Sequence, residues 1–206
     1  MKTQVKICGV TNVADALVAA QAGADMIGLN FYEQSPRCLS LATAAEISRA
    51  LSPFVLKVGV FVNAPEDFIL RVMGECSLNL LQFHGAEDSD FCTQFGLMSV
   101  KALRVRDAES LAALANFNTD AFLLDAYSPS GLGGTGEQFD WKLAVGAKKF
   151  GKPIFLAGGL TPENVADAVK QVRPFAVDVA SGVESSPGKK DHAKVKAFIQ
   201  AAKKEF

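Results

Sequence analysis

Long apolar runs are missing from this sequence, and with them any segment able to cross a bilayer as a helix. The opening stretch "MKTQVKICGVT" has no apolar core of the kind a secretion signal carries. Basic tracts are missing too. Against 21 Lys and Arg stand 22 Asp and Glu, a formal net charge of −1, which argues against a nucleic-acid or membrane-surface partner. Cysteines are few and scattered. Cys8, Cys38, Cys76 and Cys92 follow one another at separations of 30, 38 and 16, so no close pair suggests a zinc site or a disulfide scaffold, no metal is expected, and a reducing cytoplasm fits best. Nothing Pro/Ser-rich or of low complexity divides the chain, which reads as one domain over residues 1–206.

What is present is alternation. Short β-type runs ("TQVKICG", "DMIGLNF", "FVLKVGVFV", "LNLLQF", "SVKALRV", "AFLLD", "PIFLAGG", "AVDVASG") are separated by longer segments of helical character, giving eight strands and eight helices. The punctuation agrees: "LTPENV" offers Thr161 as N-cap with Pro162 in the first helical position, and Gly23 and Gly151 follow helical runs where a left-handed residue ends a helix. Strict β–α alternation implies parallel strands with right-handed crossovers, and eight units imply an α/β fold closed as a (β/α)8 TIM barrel.

Barrels of this kind build their sites at the C-terminal ends of the strands. In "VKICG", alternation puts Lys6 and Cys8 on one face and Val5 and Ile7 on the other; the apolar pair suits the helix layer, so Cys8 points into the mouth, as a catalytic thiol or as a small buried one. "FLLD" ends an apolar strand on Asp125, an acid that needs a partner or a function, or else caps the loop that follows. Asp178, inside "VDV", is expected to be structural, paired with Lys6, Lys57 or Lys101 if these point inward. Arg37, in the loop "FYEQSPRCLS", is placed to fork onto a carboxylate or to be solvated. His84 closes "LLQFHG" and could be a base, a hydrogen-bonding partner or a loop cap.

Two glycine turns complete the mouth. Gly158-Gly159 and Ser181-Gly182 each follow a strand, the seventh and the eighth, and precede helical structure. Loops at these positions often hold a phosphate on backbone N–H groups, which glycine lets approach closely, so a small phosphorylated ligand is expected. A third segment, beyond the strand that ends in Asp125, holds four glycines within 131–136 and reads as a mobile loop over the site or as a passive connection.

Taken together, "KICGVT", "FYEQSPR", "VGVFVN", "LLQFHG", "LLDA…GGTGEQFDW", "LAGGLTPENV" and "FAVDVASGVESSPGKKD", in that order, resemble the phosphoribosylanthranilate isomerases of tryptophan biosynthesis over essentially the whole chain. The resemblance implies an aldose–ketose isomerase that converts N-(5-phosphoribosyl)anthranilate to 1-(2-carboxyphenylamino)-1-deoxyribulose 5-phosphate by an Amadori-type rearrangement, with no cofactor. By position it implies Cys8 as general base, Asp125 as general acid and Arg37 as the residue assisting the anthranilate end. His84, Gly158, Gly159, Ser181 and Gly182 are expected to contact substrate. The acid then needs a raised pKa, and the thiol, ordinarily near ~8.5, needs modest help such as a neighbouring Lys6. An indole-glycerol-phosphate synthase would rely on lysine and glutamate where Cys8 and Asp125 stand. A non-catalytic sugar-phosphate binder would have no need of an acid and a thiol. The sequence does not choose between monomer and homodimer.

Overall fold

The computed structural model describes residues 2–107, 109–126 and 141–204. Strand β1 (Gln4–Cys8) is followed by α1 (Val13–Gln21), β2 (Met26–Asn30), α2 (Leu41–Ala50), β3 (Leu56–Phe61), α3 (Glu66–Cys76), β4 (Leu80–Phe83), α4 (Ser89–Thr93) and β5 (Met98–Val105). A 3-10 segment (Ser110–Asn116) leads to β6 (Ala121–Ala126); α5 (Trp141–Ala147), β7 (Ile154–Leu156), α6 (Val165–Val172) and β8 (Ala176–Val179) follow. After a 3-10 turn (Ser181–Val183), an antiparallel pair, β9 (Glu184–Ser186) and β10 (Lys189–Lys190), precedes α7 (His192–Ala202).

Strands β1 to β8 close in sequence order into a parallel barrel, β8 returning to β1 with Lys6 opposite Asp178. Because side chains alternate along each strand, two apolar layers result. Met26, Val58, Leu80, Val100, Leu123 and Phe155 fill the barrel interior. Val5, Ile7, Ile27, Leu81, Phe122 and Val177 pack outward beneath the helices, as expected for Val5 and Ile7.

The helices start where local chemistry allows. Asn12 caps α1 by accepting from the Asp15 amide, and Asp191 caps α7 by accepting from Ala193 and Lys194. Gly23 and Gly151 have φ of +100° and +72°, the left-handed values expected of them.

Three expectations are corrected. The fifth helix is a 3-10 segment. Its buried anchors, Leu111 and Leu114, are three residues apart, a spacing that eclipses in a 3-10 coil. Helix α6 starts at Val165 and not at Pro162, because Asn164 folds back: its Oδ1 accepts from Thr161 N (2.8 Å) and its Nδ2 donates to the Gly159 carbonyl (2.9 Å). Of the three lysines, only Lys6 points inward. Lys57 alternates outward from Val58, and Lys101 donates to Glu87 and the Gly85 carbonyl, both at 2.9 Å.

Candidate active site

The inward side chains that top the strands define the mouth. Cys8 ends β1 in register with Gly28 on β2; a Cβ at Gly28 would stand 2.7 Å from the Cys8 sulfur, so glycine there makes the room the thiol occupies. Below it, fully buried Lys6 donates to Asp178 at 2.8 Å. Burial alone would depress the Lys6 ammonium, but the Asp178 carboxylate outweighs it and raises the lysine above its ordinary value. The help foreseen for the thiol is therefore insufficient. Burial pushes Cys8 up, Lys6 pulls it down, and Asp178 adds to the rise, so the net shift is upward and Cys8 rests as a thiol.

Across the mouth, buried Asp125 near the end of β6 lies 3.6 Å from His84 Nε2. His84 Nδ1 lies 3.4 Å from Nε2 of Gln82, which is buried one layer below. The buried His84 Nε2 has no hydrogen-bond partner among the described residues, so the ring is held through Nδ1 and the Gln82 amide. Burial, then the charges of Lys6, Arg104 and Lys101, pull the His84 pKa down to about 4, so the ring is neutral at neutral pH.

Arg37 is closed on a protein carboxylate. Its Nε and Nη2 fork onto Glu184 at 2.8 and 2.7 Å, and Lys190 adds a bond to the same carboxylate at 2.8 Å. Burial opposes ionisation of Glu184, yet Arg37 and Lys190 together hold its carboxyl below the usual range. Gly9 (φ +67°) permits this approach, because a Cβ there would sit 2.4 Å from Arg37 Cδ.

Gly158 and Gly159 take left-handed φ values of +83° and +66°, and their N–H groups make no hydrogen bond among the described residues. Gly182 sits so close beneath the β7 turn that a Cβ would stand 1.9 Å from the Leu160 carbonyl oxygen. The two turns are thus packed backbone to backbone, and both line the mouth.

All eight residues singled out from the sequence, Cys8, Arg37, His84, Asp125, Gly158, Gly159, Ser181 and Gly182, line one cleft. Asp178, expected to be structural, pairs with Lys6 and also lines that cleft. The cleft further includes Asn30, Ser35 and Gln82, which the sequence reading passed over; for Gln82 the alternation of "LLQFH" was enough to place it inward. The glycine-rich segment at 131–136 lies outside the described residues, as does any covering role for it. Among the described residues no group of three or more His, Cys, Asp or Glu side chains could hold a metal ion.

A closed parallel barrel with an acid, a thiol and two glycine turns at its C-terminal mouth has the architecture of a (β/α)8 enzyme. A family model described as N-(5'phosphoribosyl)anthranilate (PRA) isomerase matches residues 5–201, and the chain belongs to that family. An N-(5'-phosphoribosyl)anthranilate isomerase of Citrifermentans bemidjiense is 56% identical over 202 residues, 98% of each chain. Among solved structures, phosphoribosyl anthranilate isomerase from Thermotoga maritima aligns at 43% identity with a TM-score of 0.91 over 98% of both chains. Monomers generated from the dimeric enzyme of the same organism align at 41% and 0.88 over the same share of each chain. A phosphoribosyl anthranilate isomerase in complex with reduced 1-(o-carboxyphenylamino)-1-deoxyribulose 5-phosphate aligns at 42% and 0.87, again over 98% of each.

Proposed function

We propose that this chain isomerises N-(5-phosphoribosyl)anthranilate to 1-(2-carboxyphenylamino)-1-deoxyribulose 5-phosphate, with Asp125 as general acid and Cys8 as general base. The observation that carries the assignment of roles is topological. Strands β7 and β8 lie between β6 and β1, so the two glycine turns are flanked by the acid on one side and the thiol on the other. A sugar phosphate anchored on Gly158, Gly159, Ser181 and Gly182 would hold its ring between the two groups.

Asp125 gives its proton to the ribose ring oxygen while the C1'–O bond breaks and the anthranilate nitrogen lone pair forms the C1'=N bond. The product is a protonated imine. His84, neutral beside Asp125, places no cation against the acid. Cys8 starts as a thiol and loses its proton to solvent, a loss the imine cation favours by its charge. The thiolate removes the C2' proton and the electrons flow to nitrogen, giving an enolamine. In ketonisation the Cys8 thiol returns a proton to C1' and the C2' hydroxyl proton passes to the Asp125 carboxylate; the proton first released to solvent then comes back to Cys8, so both groups end in their starting states and no redox partner enters the balance. Position contributes as much as proton transfer, since fixing both ends of the substrate converts ring opening and proton removal into steps between held groups.

The chain acts as one catalytic unit, because every group named comes from the same barrel. Its four thiols, all free, fit action in a reducing cytoplasm. The balanced charge gives a nucleic-acid partner no basic surface of scale. A second copy of the chain is the partner the surface favours. Phe54, in the α2–β3 loop, is 91% exposed, and Met98 and Phe175, at the N-terminal ends of β5 and β8, are 53% and 40% exposed on the same barrel end.

The test is loss of anthranilate-type fluorescence from the substrate on adding purified chain, without metal or nucleotide. Replacing Cys8 by Ser or Asp125 by Asn should each lower kcat by about 10²–10⁴-fold with circular dichroism unchanged. Full turnover in either variant removes the role given to that residue.

A further inference from the structure

The hairpin β9–β10 carries charges that close over the mouth, yet it has little of its own to hold it in place. Strands of three and two residues joined by Pro187 and Gly188 bury too little to be stable alone. What the hairpin is tied to therefore sets its position. At its tip the Thr11 hydroxyl donates to the Gly188 carbonyl, and a Cβ on Gly188 (φ +80°) would stand 3.0 Å from the Pro36 carbonyl oxygen. At its return strand the tie is a buried carboxylate. Asp15, in the first turn of α1, accepts through one oxygen from the Lys190 amide and the Asn12 side chain, both at 2.9 Å, and through the other from His192 Nε2 at 2.8 Å. Burial alone would raise the Asp15 carboxyl, but the Lys190 amide, His192 and Asn12 together hold it below the usual carboxylate range.

We propose that Asp15 is a positioning residue for Cys8: by pinning the backbone of β10 it keeps the Lys190 ammonium close to the thiol that must become the base. The inference rests on the role given to Cys8 above. Asp15 itself faces a groove separate from the catalytic cleft, with Thr11, Asn12 and His192, and acts only through Lys190. From its anchored backbone the buried Lys190 side chain reaches the Ala180 carbonyl at 3.1 Å and Glu184 at 2.8 Å. Ala180 lines the catalytic cleft with Cys8. Charged groups approach the thiol from every neighbouring element. Lys6 lies on its own strand, Asp178 on β8, Arg37 against Gly9 from the β2–α2 loop, Lys190 with Glu184 on the hairpin, and His84 and Asp125 across the mouth. Burial pushes the Cys8 thiol up, Lys6 and Lys190 draw it back, and Asp178 adds to the rise. Lys6 is fixed in a barrel strand and closed on Asp178. Lys190 sits on a segment free to shift, so its place is the part of this balance that an anchor controls. Without the Asp15 carboxylate the Lys190 N–H loses its buried acceptor, and the hairpin gains by moving out toward water.

The experiment reads the thiol directly. Wild type, Asp15→Ala, Asp15→Asn, Lys190→Met and the double variant carrying Asp15→Ala and Lys190→Met are treated with iodoacetamide across a pH series. Alkylation at Cys8 is followed by mass spectrometry of its peptide, since the thiolate is the form that reacts. Asp15→Ala should slow the reaction at neutral pH by about 3- to 10-fold and move its profile to higher pH. The plateau at high pH should stay where it is, which separates ionisation from access. Asp15→Asn keeps one acceptor oxygen and the size of the side chain, and should lie between Asp15→Ala and the wild type. Lys190→Met should slow alkylation at least as much as Asp15→Ala, and the double variant no further, because an anchor has no effect once the cation it anchors is gone. A profile unchanged or moved to lower pH in the Asp15 variants, a changed plateau, or a double variant that adds the two single effects overturns the assignment. A wild type that does not turn over N-(5-phosphoribosyl)anthranilate, with the alkylation results as expected, removes the isomerase reading and leaves Asp15 as the anchor of Lys190. Circular dichroism on each variant reports the fold, and where Asp15→Ala does not fold, Asp15→Asn carries the comparison.

Discussion

At the scale of single residues, His84 carries a pH dependence that its surroundings dictate. Burial, then Lys6, Arg104 and Lys101, bring its pKa from an ordinary 6.5 down to about 4. Between those values the unfolded chain takes up a proton that the folded chain refuses. The stability due to the neutral ring is therefore complete above pH 6.5 and is lost as pH falls toward 4. Replacing His84 by Gln keeps a neutral polar group and removes the titration. Urea unfolding at pH 7.5 and pH 4.5 should then show the wild type losing about 2–3 kcal/mol more than the variant over that interval. Equal losses would mean that the ring is protonated in the folded state. The inward direction of Cys8 and Asp125 was legible in the sequence because a strand's alternation fixes which way a side chain points. The closure of Arg37 on Glu184 was not legible: the two are 147 positions apart, and only the hairpin β9–β10 brings the acid and Lys190 back over the mouth.

At the scale of elements, the β1–β2 pairing shows how backbone register places the thiol. Cys8 lies opposite Gly28, and a methyl group there would meet its sulfur at 2.7 Å and its Cα at 3.0 Å. The Cα belongs to a barrel strand and cannot swing aside, so Gly28→Ala should push Cys8 from its place. The expected outcome is a fall in kcat on the order of 10²-fold, as for an ångström-scale misplacement. Overpacking should cost about 1–3 kcal/mol of stability. Normal turnover by Gly28→Ala would show that the thiol's position is not critical. The strands were readable from their apolar runs, each bounded by turn residues, because burial on both faces leaves little choice of sequence. The crossover between β5 and β6 was less so. "LAAL" satisfies a helical pattern and a 3-10 pattern alike, and packing of Leu111 and Leu114 against the barrel decides between them. The start of α6 was misplaced for a similar reason: Asn164 answers to the Gly159 carbonyl, a contact made only once the glycine turn has formed.

At the scale of the whole molecule, the two ends of the barrel differ in character. The C-terminal end is polar and closes its charges on one another, while the N-terminal end presents Phe54, Met98 and Phe175 to solvent. A phenylalanine exposed to 91% in the loop between α2 and β3 gains nothing in the isolated chain and would gain about 2–3 kcal/mol if covered. In a two-fold pair the same gain occurs twice, since each copy offers the other the same surface. The chain's mass is 21.8 kDa, so sedimentation equilibrium at micromolar concentration should return about twice that value. Phe54→Ser should shift the equilibrium toward the single-chain mass while leaving kcat near that of the parent, because Phe54 lies at the barrel end remote from Cys8 and Asp125. The unpaired variant should also unfold at a lower temperature, having lost a partner that stabilises by mass action. A wild type that sediments at the single-chain mass across the concentration range would leave Phe54 without a partner and remove the dimer. A dimer that Phe54→Ser does not weaken would place the interface on another face of the barrel.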